Sequence, residues 1–144
     1  MRTLNRGARN GVKLVADANV LLSAALGGRA RIVLEHSAIT GVITTEVTLA
    51  EVQEYAAQLA VKKRLSLDVV LMAVATLPVQ IVEQKVYEKK IPEARRRIGR
   101  RDPDDVEILA LALHTGFALW SNDNDFENTG VEWLTTAEIL AQLK

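Results

Sequence analysis

The stretch Val12-Lys13-Leu14-Val15-Ala16-Asp17-Ala18-Asn19-Val20-Leu21-Leu22 changes its period at an acid. Up to Ala16 it is a short apolar, β-prone run, which predicts a buried strand. From Asn19 to Leu26 the apolar residues fall at helical spacing and stop at Gly27-Gly28, a pair that ends helices. Asp17 stands at the join. A carboxylate that closes a buried apolar strand is costly unless something pairs with it. The position is therefore marked before any other residue is read.

The same alternation continues outward. Ala30 to His36 reads as a short helix, Gly41 to Thr45 as a second strand, and Thr48 to Lys63 as a long amphipathic helix. In that helix Leu49, Val52, Ala56, Leu59 and Ala60 share one face. Ser66 to Leu77 reads as a helix with Ser66 at its N-cap and Pro78 as terminator. Val79 to Val82 is a third strand candidate, and the basic stretch Val86 to Arg101, broken by Pro92 and Gly99, has no clear period. Asp105 to His114 is strongly helical, with Ile108, Leu109, Ala112 and Leu113 inward. Phe117 to Trp120 reads as the fourth strand and Val131 to Leu134 as a possible fifth. Thr135 and Glu138 form a Thr-x-x-Glu capping box for a last helix, Thr136 to Leu143.

Strands that alternate with helices predict an α/β fold: a three-layer α/β/α domain on a central parallel sheet of four to five strands. Residues 1–11, with Arg2, Arg6 and Arg9, are expected to be a flexible basic segment, and residues 12–144 a single domain. The chain of 144 residues is long enough to bury a core, and its low aromatic content, 4%, makes that core aliphatic.

Composition removes several chemistries. Cysteine is absent, which excludes disulfides and thiolate metal sites, and only His36 and His114 offer imidazole. Both fall in predicted helices without a partner motif and read as structural. Any metal site must be built mainly from oxygen, which disfavours zinc. No segment approaches the roughly 20 apolar residues of a membrane span. The N-terminus lacks the apolar core of a signal peptide, so a cytoplasmic protein without a membrane partner is expected. The 18 basic and 18 acidic residues balance, so net charge predicts no nucleic-acid partner. The two signs are nevertheless segregated along the chain.

Four acids fall at or just beyond strand ends, where an open parallel sheet binds its ligands. Asp17 ends the first strand, Glu51 lies near the start of the helix after the second, Asp105 opens a helix, and Asp123 follows the fourth strand. Each alone has an ordinary explanation. Asp104 or Asp105 can be a cap or a helix-dipole partner, Glu51 a solvated helix residue, and Asp123 and Asp125 turn formers. Their common placement at one edge is the signal. Converging carboxylates repel one another and need cations, and hard oxygen donors select Mg2+ or Mn2+.

The same positions resemble the motifs of the PIN-domain family. Asp17-Ala18-Asn19 after the first strand resembles its opening Asp-x-Asn, and Thr48-Leu49-Ala50-Glu51-Val52 its Thr-x-x-Glu-Leu helix. Arg101-Asp102-Pro103-Asp104-Asp105, entering an apolar helix, resembles its third motif, and Ser121-Asn122-Asp123-Asn124-Asp125-Phe126 its Thr-x-Asp-x-Asp-Phe. The ordered set runs from about Val12 to Leu140. The resemblance implies an Mg2+- or Mn2+-dependent endoribonuclease that cleaves single-stranded RNA through a four-carboxylate site. It implies Asp17, Glu51, Asp105 and Asp123 as catalytic metal ligands, Asn19 as a polar supporter, and Asp125 as an outer ligand or a residue behind the ligands. Asp104 competes with Asp105 for the third position, and Ser121 keeps the hydroxyl of the commoner Thr. Glu46 and Glu54 lie near enough to Glu51 to exchange roles with it. Many short members are VapC-like toxins held inactive by a small antitoxin. The Arg-Asp-Pro-Asp-Asp form points to a related toxin-like branch, and a homodimer is implied with it.

Lys89, Lys90, Arg95, Arg96, Arg97, Arg100 and Arg101 lead directly into the third motif. They suit phosphate contacts along an RNA strand approaching the acids, since arginine binds phosphate bidentately; a solvated helix face is the ordinary alternative. Only Tyr87 lies nearby to stack on a base, so sequence-specific readout is not expected. Three rival functions carry less. An Asp-based phosphoryl enzyme needs an acid pair on one strand and a lysine after a later one, whereas Asp17 precedes Ala18-Asn19 and no lysine follows the Phe117 strand. A calcium loop from Asp123 has Asn128 where glycine belongs and Leu134 where glutamate belongs. A non-catalytic PIN-like RNA-binding or scaffolding module is expected to have lost an acid, and all four are present.

Overall fold

The computed structural model describes residues 11–143, so all of the expected basic segment except Gly11 lies outside the described residues. Five strands form one sheet: β1 (Val12–Ala16), β2 (Ile39–Thr45), β3 (Gln80–Val82), β4 (Ala118–Trp120) and β5 (Trp133–Leu134). Their order is β3-β2-β1-β4-β5 and every pairing is parallel. The helices that cross between them are α1 (Ala18–Ala25), α2 (Arg29–Glu35), α3 (Glu46–Lys63), α4 (Leu67–Ala75), α5 (Gln84–Tyr87), α6 (Ile91–Ile98), α7 (Val106–Thr115) and α8 (Thr136–Gln142). This is the expected α/β architecture, with five strands.

Both faces of the sheet are covered, which explains why its strands are apolar runs rather than alternating ones. Side chains alternate across the central strand. Val12, Leu14 and Ala16 join a core with α1, α2 and α8, while Val15 joins a second core with α6, α7, Phe126 and Trp133. Across β1 and β2, the Thr44 hydroxyl donates to the Ala16 carbonyl at 2.8 Å. Among the described residues no helix is long and apolar enough to cross a membrane.

Several boundaries differ from the sequence reading, each for a local reason. α3 begins at Glu46 rather than Thr48, because the Thr45 side chain accepts from the Thr48 N–H at 2.9 Å and caps the helix two residues earlier. α4 stops at Ala75, and Ser66, although it occupies the N-cap, makes no side-chain cap bond. α2 ends at Glu35, so His36 lies beyond it, with Nδ1 accepting from the Ala38 N–H. Asp105 closes a 3-10 turn, Pro103–Asp105, and α7 begins only at Val106. The aperiodic stretch resolves into α5, a 3-10 turn at Glu88–Lys90 and α6. The capping box at Thr135 and Glu138 forms as read.

Strand order reverses beside β1: the chain fills β2 and β3 on one side, β4 and β5 on the other. A crevice therefore opens past the carboxyl ends of β1 and β4, the switch point at which such sheets hold ligands. The Asp17 N–H donates to the Trp120 carbonyl at 3.2 Å and ties those two ends together.

Candidate active site

Four separate parts of the chain deliver acids to that crevice. Asp17 is the N-cap of α1: its Oδ1 accepts from the Val20 N–H at 3.0 Å. Its side chain is therefore fixed at the end of β1, in a residue only 7% exposed. Glu51 comes from the second turn of α3, half-buried, with the Tyr55 hydroxyl bonded to it one turn on. Asp104 and Asp105 come from the 3-10 turn that leads into α7, and Asp102 from the N-cap of that turn. Asp123 comes from the turn after β4, where its Oδ1 accepts from the Asp125 N–H at 3.0 Å.

Asp17, Asn19, Thr48, Glu51, Tyr55, Asp102, Asp104, Asp105 and Asp123 line one cleft of about 130 Å³, floored by Ala18 and Ile108. Among the described residues no lysine, arginine or histidine lines it. The four acids read from the sequence thus meet in one place. Neither Glu46 nor Glu54 lines the cleft; Glu51 does. Of the two candidates for the third position, Asp105 is half-buried and feels the charges of Asp17, Asp123 and Glu51. Asp104 is exposed on the rim, where its charge bears on Glu51 and Tyr55. Asn19 is exposed on the same rim and gives its backbone N–H to Asp17.

The electrostatics are those of carboxylates crowded without a counter-charge. Burial pushes Asp17 up, and the charge of Asp123 adds to this. The Ser121 hydroxyl and the Val20 and Asn19 N–H groups offset it in part. Burial also raises Glu51, helped by Asp104 and Asp17. Asp105 is pushed up to about 7, by burial first and then by Asp102, Asp17, Asp123 and Glu51.

Asp125 does not line the cleft. Instead Asp102, Asp105 and Asp125 bring one carboxylate oxygen each within 4.8 Å of one another. A hydrogen bond that the protonated Asp125 donates to the Asp102 carboxylate is the largest cause of the raised pKa of Asp125, followed by burial and the Asp102 charge. Asp105 therefore belongs to both groups. The third motif offers Asp102 beside Asp104 and Asp105, but spacing to the apolar helix favours Asp105, and nothing in the sequence pairs Asp102 with Asp125. The signal for Asp102 was the Asp-Pro step, because proline cannot donate a backbone N–H and its fixed φ suits the first position of a tight turn.

Ser121 is fully buried at the back of the site. Its Oγ accepts from the Asp123 N–H at 3.0 Å and bonds to Asp17, so one hydroxyl spaces two of the acids. The basic residues lie on and around α6. Arg95, Arg96, Arg97, Arg100, Arg101 and Lys89 are exposed, whereas Lys90 is half-buried and 3.9 Å from Glu93. Tyr87 is buried, with its hydroxyl donating to Glu107 at 2.6 Å, and offers no stacking surface. His114 is exposed on α7, and neither histidine joins the cleft.

Comparison with known proteins places the fold. No curated protein sequence matches the chain. In fold it is similar to PAE2754 from Pyrobaculum aerophilum, with a TM-score of 0.70 and 15% identity over 94% of this chain and 92% of that one. It is similar to VapBC2 from Rickettsia felis bound to a promoter DNA fragment, with a TM-score of 0.67 and 14% identity over 86% and 98%. It is also similar to VapC20 of Mycobacterium tuberculosis, a toxin that cleaves the sarcin–ricin loop, with a TM-score of 0.57 and 19% identity over 82% and 95%. The family model described as the PIN domain matches residues 15–144. The chain belongs to the PIN-domain family.

Proposed function

We propose that the chain is a divalent-metal-dependent endoribonuclease that hydrolyses phosphodiester bonds of single-stranded RNA, and that it is the toxin of a toxin–antitoxin pair. The observation that carries this reading is the meeting of Asp17, Glu51, Asp105 and Asp123 in a cleft that, among the described residues, no basic side chain lines. An all-oxygen donor set with excess negative charge fits Mg2+ or Mn2+ and disfavours a softer metal. Asp17, Glu51, Asp105 and Asp123 would hold the ion facing the substrate. Asp102 and Asp125, with Asp105 shared, would hold or orient on the outer side, and Asp104 would complete the rim. Such an ion supplies Lewis-acid activation of water and neutralises charge developing on the phosphate.

The remaining work belongs to the protein. The Ser121 hydroxyl and the Val20 N–H fix the Asp17 carboxylate, and the cap at Asp123 fixes its Oδ1. The rigid sheet ends hold these groups at preset positions, as such chemistry needs. The likeness to VapBC2 supports a small antitoxin partner. Val69 and Met72 on α4, with Val61 and Leu65 beside it, are exposed apolar residues that suit a homodimer or antitoxin interface. A cytoplasmic location accords with an RNA substrate.

The test is cleavage of generic single-stranded RNA in Mg2+, Mn2+ or EDTA by wild type and Asp17→Asn. The asparagine retains Oδ1, and with it the cap on Val20, so the fold is kept while the charge is lost. Metal-dependent cutting by wild type, abolished in the variant, supports the reading. A folded, metal-loaded wild type that leaves several RNAs intact would shift the protein to a non-catalytic RNA-binding role.

A further inference from the structure

The basic run before the third acidic motif is not one surface. α6 buries Ala94 and Ile98, and its remaining positions fall into stripes four residues apart. One stripe is Glu93, Arg97 and Arg101. Arg97 donates from Nη2 to Glu93 Oε1 at 2.7 Å and from Nη1 to the Thr129 carbonyl at 2.6 Å. Gly130, at φ +85°, makes that approach possible, because a Cβ there would fall on the Arg97 guanidinium. Arg101 donates from Nη2 to the Asp125 carbonyl at 3.2 Å. Both side chains are spent on the backbone of the loop that follows Asp123.

The neighbouring stripes behave differently. Arg95, Arg96 and Arg100 are exposed and have no hydrogen-bond or ion-pair partner among the described residues. With Pro92 and Gly99 they line an open groove. Gly99 is needed there: a Cβ would lie 2.6 Å from the Arg95 carbonyl and 2.9 Å from the Arg95 Cγ, across the path of that side chain. A second hollow starts from Arg95 and Gly99 and runs past Ile91 to Pro103 and Val106. The one carboxylate in it, Glu107, is already bonded by Tyr87 and Gln84. Pro103 stands between Asp102 and Asp104, which line the acid cleft. The hollow that begins at the basic groove and the acid cleft are thus lined by adjoining residues, Pro103 on one side and Asp102 and Asp104 on the other.

We propose that Arg95, Arg96 and Arg100 form a phosphate track for the backbone of single-stranded RNA leading into the acid cleft, while Arg97 and Arg101 hold the Asp123 loop. The track rests on the nuclease reading for the destination of its strand. A polyanion is repelled by a cleft of carboxylates, so an anchor of opposite sign beside it is what the substrate requires. Unpaired guanidinium groups bind phosphate bidentately and without regard to sequence. With Tyr87 buried, the aromatic ring beside the track is withdrawn from base stacking, so along the track the backbone is the recognised part.

The experiment is fluorescence anisotropy of labelled oligouridylate between 50 and 200 mM KCl, in EDTA to keep the strand intact. Each phosphate contact on a single strand contributes about 0.7 to the slope of log K against log salt. The variant R95A/R96A/R100A should lower that slope by about 2 and weaken binding on the order of 100-fold at 0.1 M salt. R95K/R96K/R100K should keep the slope, and so should R97A, although R97A should slow cleavage through the Asp123 loop. Wild-type slope and affinity in the triple alanine variant would overturn the track, as would a failure of wild type to bind. A slope lost equally in R97A would overturn the division of the run. A wild type that binds with the full slope yet does not cut in Mg2+ would remove the nuclease reading and leave the track standing. Cutting by wild type with an unchanged slope in the triple variant would do the reverse.

Discussion

Ser121 shows how tightly a single side chain is constrained at this site. Its N–H donates to the Leu134 carbonyl at 3.1 Å, and its carbonyl accepts from the Trp133 indole at 2.8 Å. Its hydroxyl accepts from the Asp123 N–H and has one proton left to give, which goes to Asp17. Removing that hydroxyl leaves a buried carboxylate with one donor fewer. Partners that orient ligands are worth roughly 10–100-fold in metal affinity or activity when lost. Ser121→Ala should therefore weaken Mn2+ binding and cleavage by about that factor, and Ser121→Thr, which keeps the hydroxyl, by only a few-fold. Titration calorimetry with Mn2+ reads this directly, and an alanine variant with wild-type affinity would show that the hydroxyl does not orient Asp17. At this scale the sequence was informative wherever an acid ended an apolar run, as at Asp17 and Asp123. It offered Asp102 within the third motif but not its contact with Asp125, which exists only because two turns distant in the chain fold against each other.

Elements were legible in proportion to the regularity of their burial. α7 buries Val106, Ile108, Leu109, Ala110, Leu111 and Ala112, an apolar density that can be read at sight. α6 buries only Ala94 and Ile98, and its five other non-proline positions carry charge or sit at its start, so no period emerged. The start of α3 was misplaced because Thr45 and Thr48 are both competent caps. The bond that settles it, from the Thr48 N–H to Thr45 Oγ1 at 2.9 Å, is local, but two hydroxyls so close in sequence leave the pattern without a preference. What secures α5 to α7 is equally invisible in the sequence. The Tyr87 hydroxyl and the Gln84 amide both donate to Glu107 Oε1, at 2.6 and 3.0 Å. Tyr87→Phe removes the shorter bond and keeps the ring. A hydrogen bond to a charged group is worth about 1.5–3 kcal/mol, and the Gln84 amide remains to share the loss. The expected cost is about 1–2 kcal/mol, seen as a lower urea midpoint at unchanged m-value. An unchanged midpoint would mean that water replaces the phenol without cost.

For the molecule as a whole, the sheet order was not readable, since nothing local says that β4 pairs with β1 rather than with β3. That pairing sets Asp123 beside Asp17 and gives the crevice its charge. The consequence is a stability that depends on pH in an unusual direction. A carboxyl whose folded pKa is raised above its unfolded value binds protons more tightly when folded, so the folded state loses stability as pH rises between the two values. Asp105 is raised from 3.8 to about 7, and Asp17 and Glu51 are raised as well, all with burial as the first cause. For the metal-free protein, the loss runs from about pH 4 to pH 7, whereas paired carboxylates in ordinary domains gain their stability at lower pH, between roughly pH 1 and pH 5. In EDTA the melting temperature should therefore fall as pH is raised from 5 to 8, and Asp105→Asn should flatten the fall. Added Mg2+ or Mn2+ should raise the melting temperature more at pH 8 than at pH 5, because a cation binds the deprotonated cluster and stabilises only the state that holds it. Differential scanning fluorimetry over that range, with and without metal, separates the effects. A metal-free protein whose melting temperature rises steadily with pH would mean that the carboxylates of the cleft are already paired within the fold, and that their crowding does not create the demand for a cation.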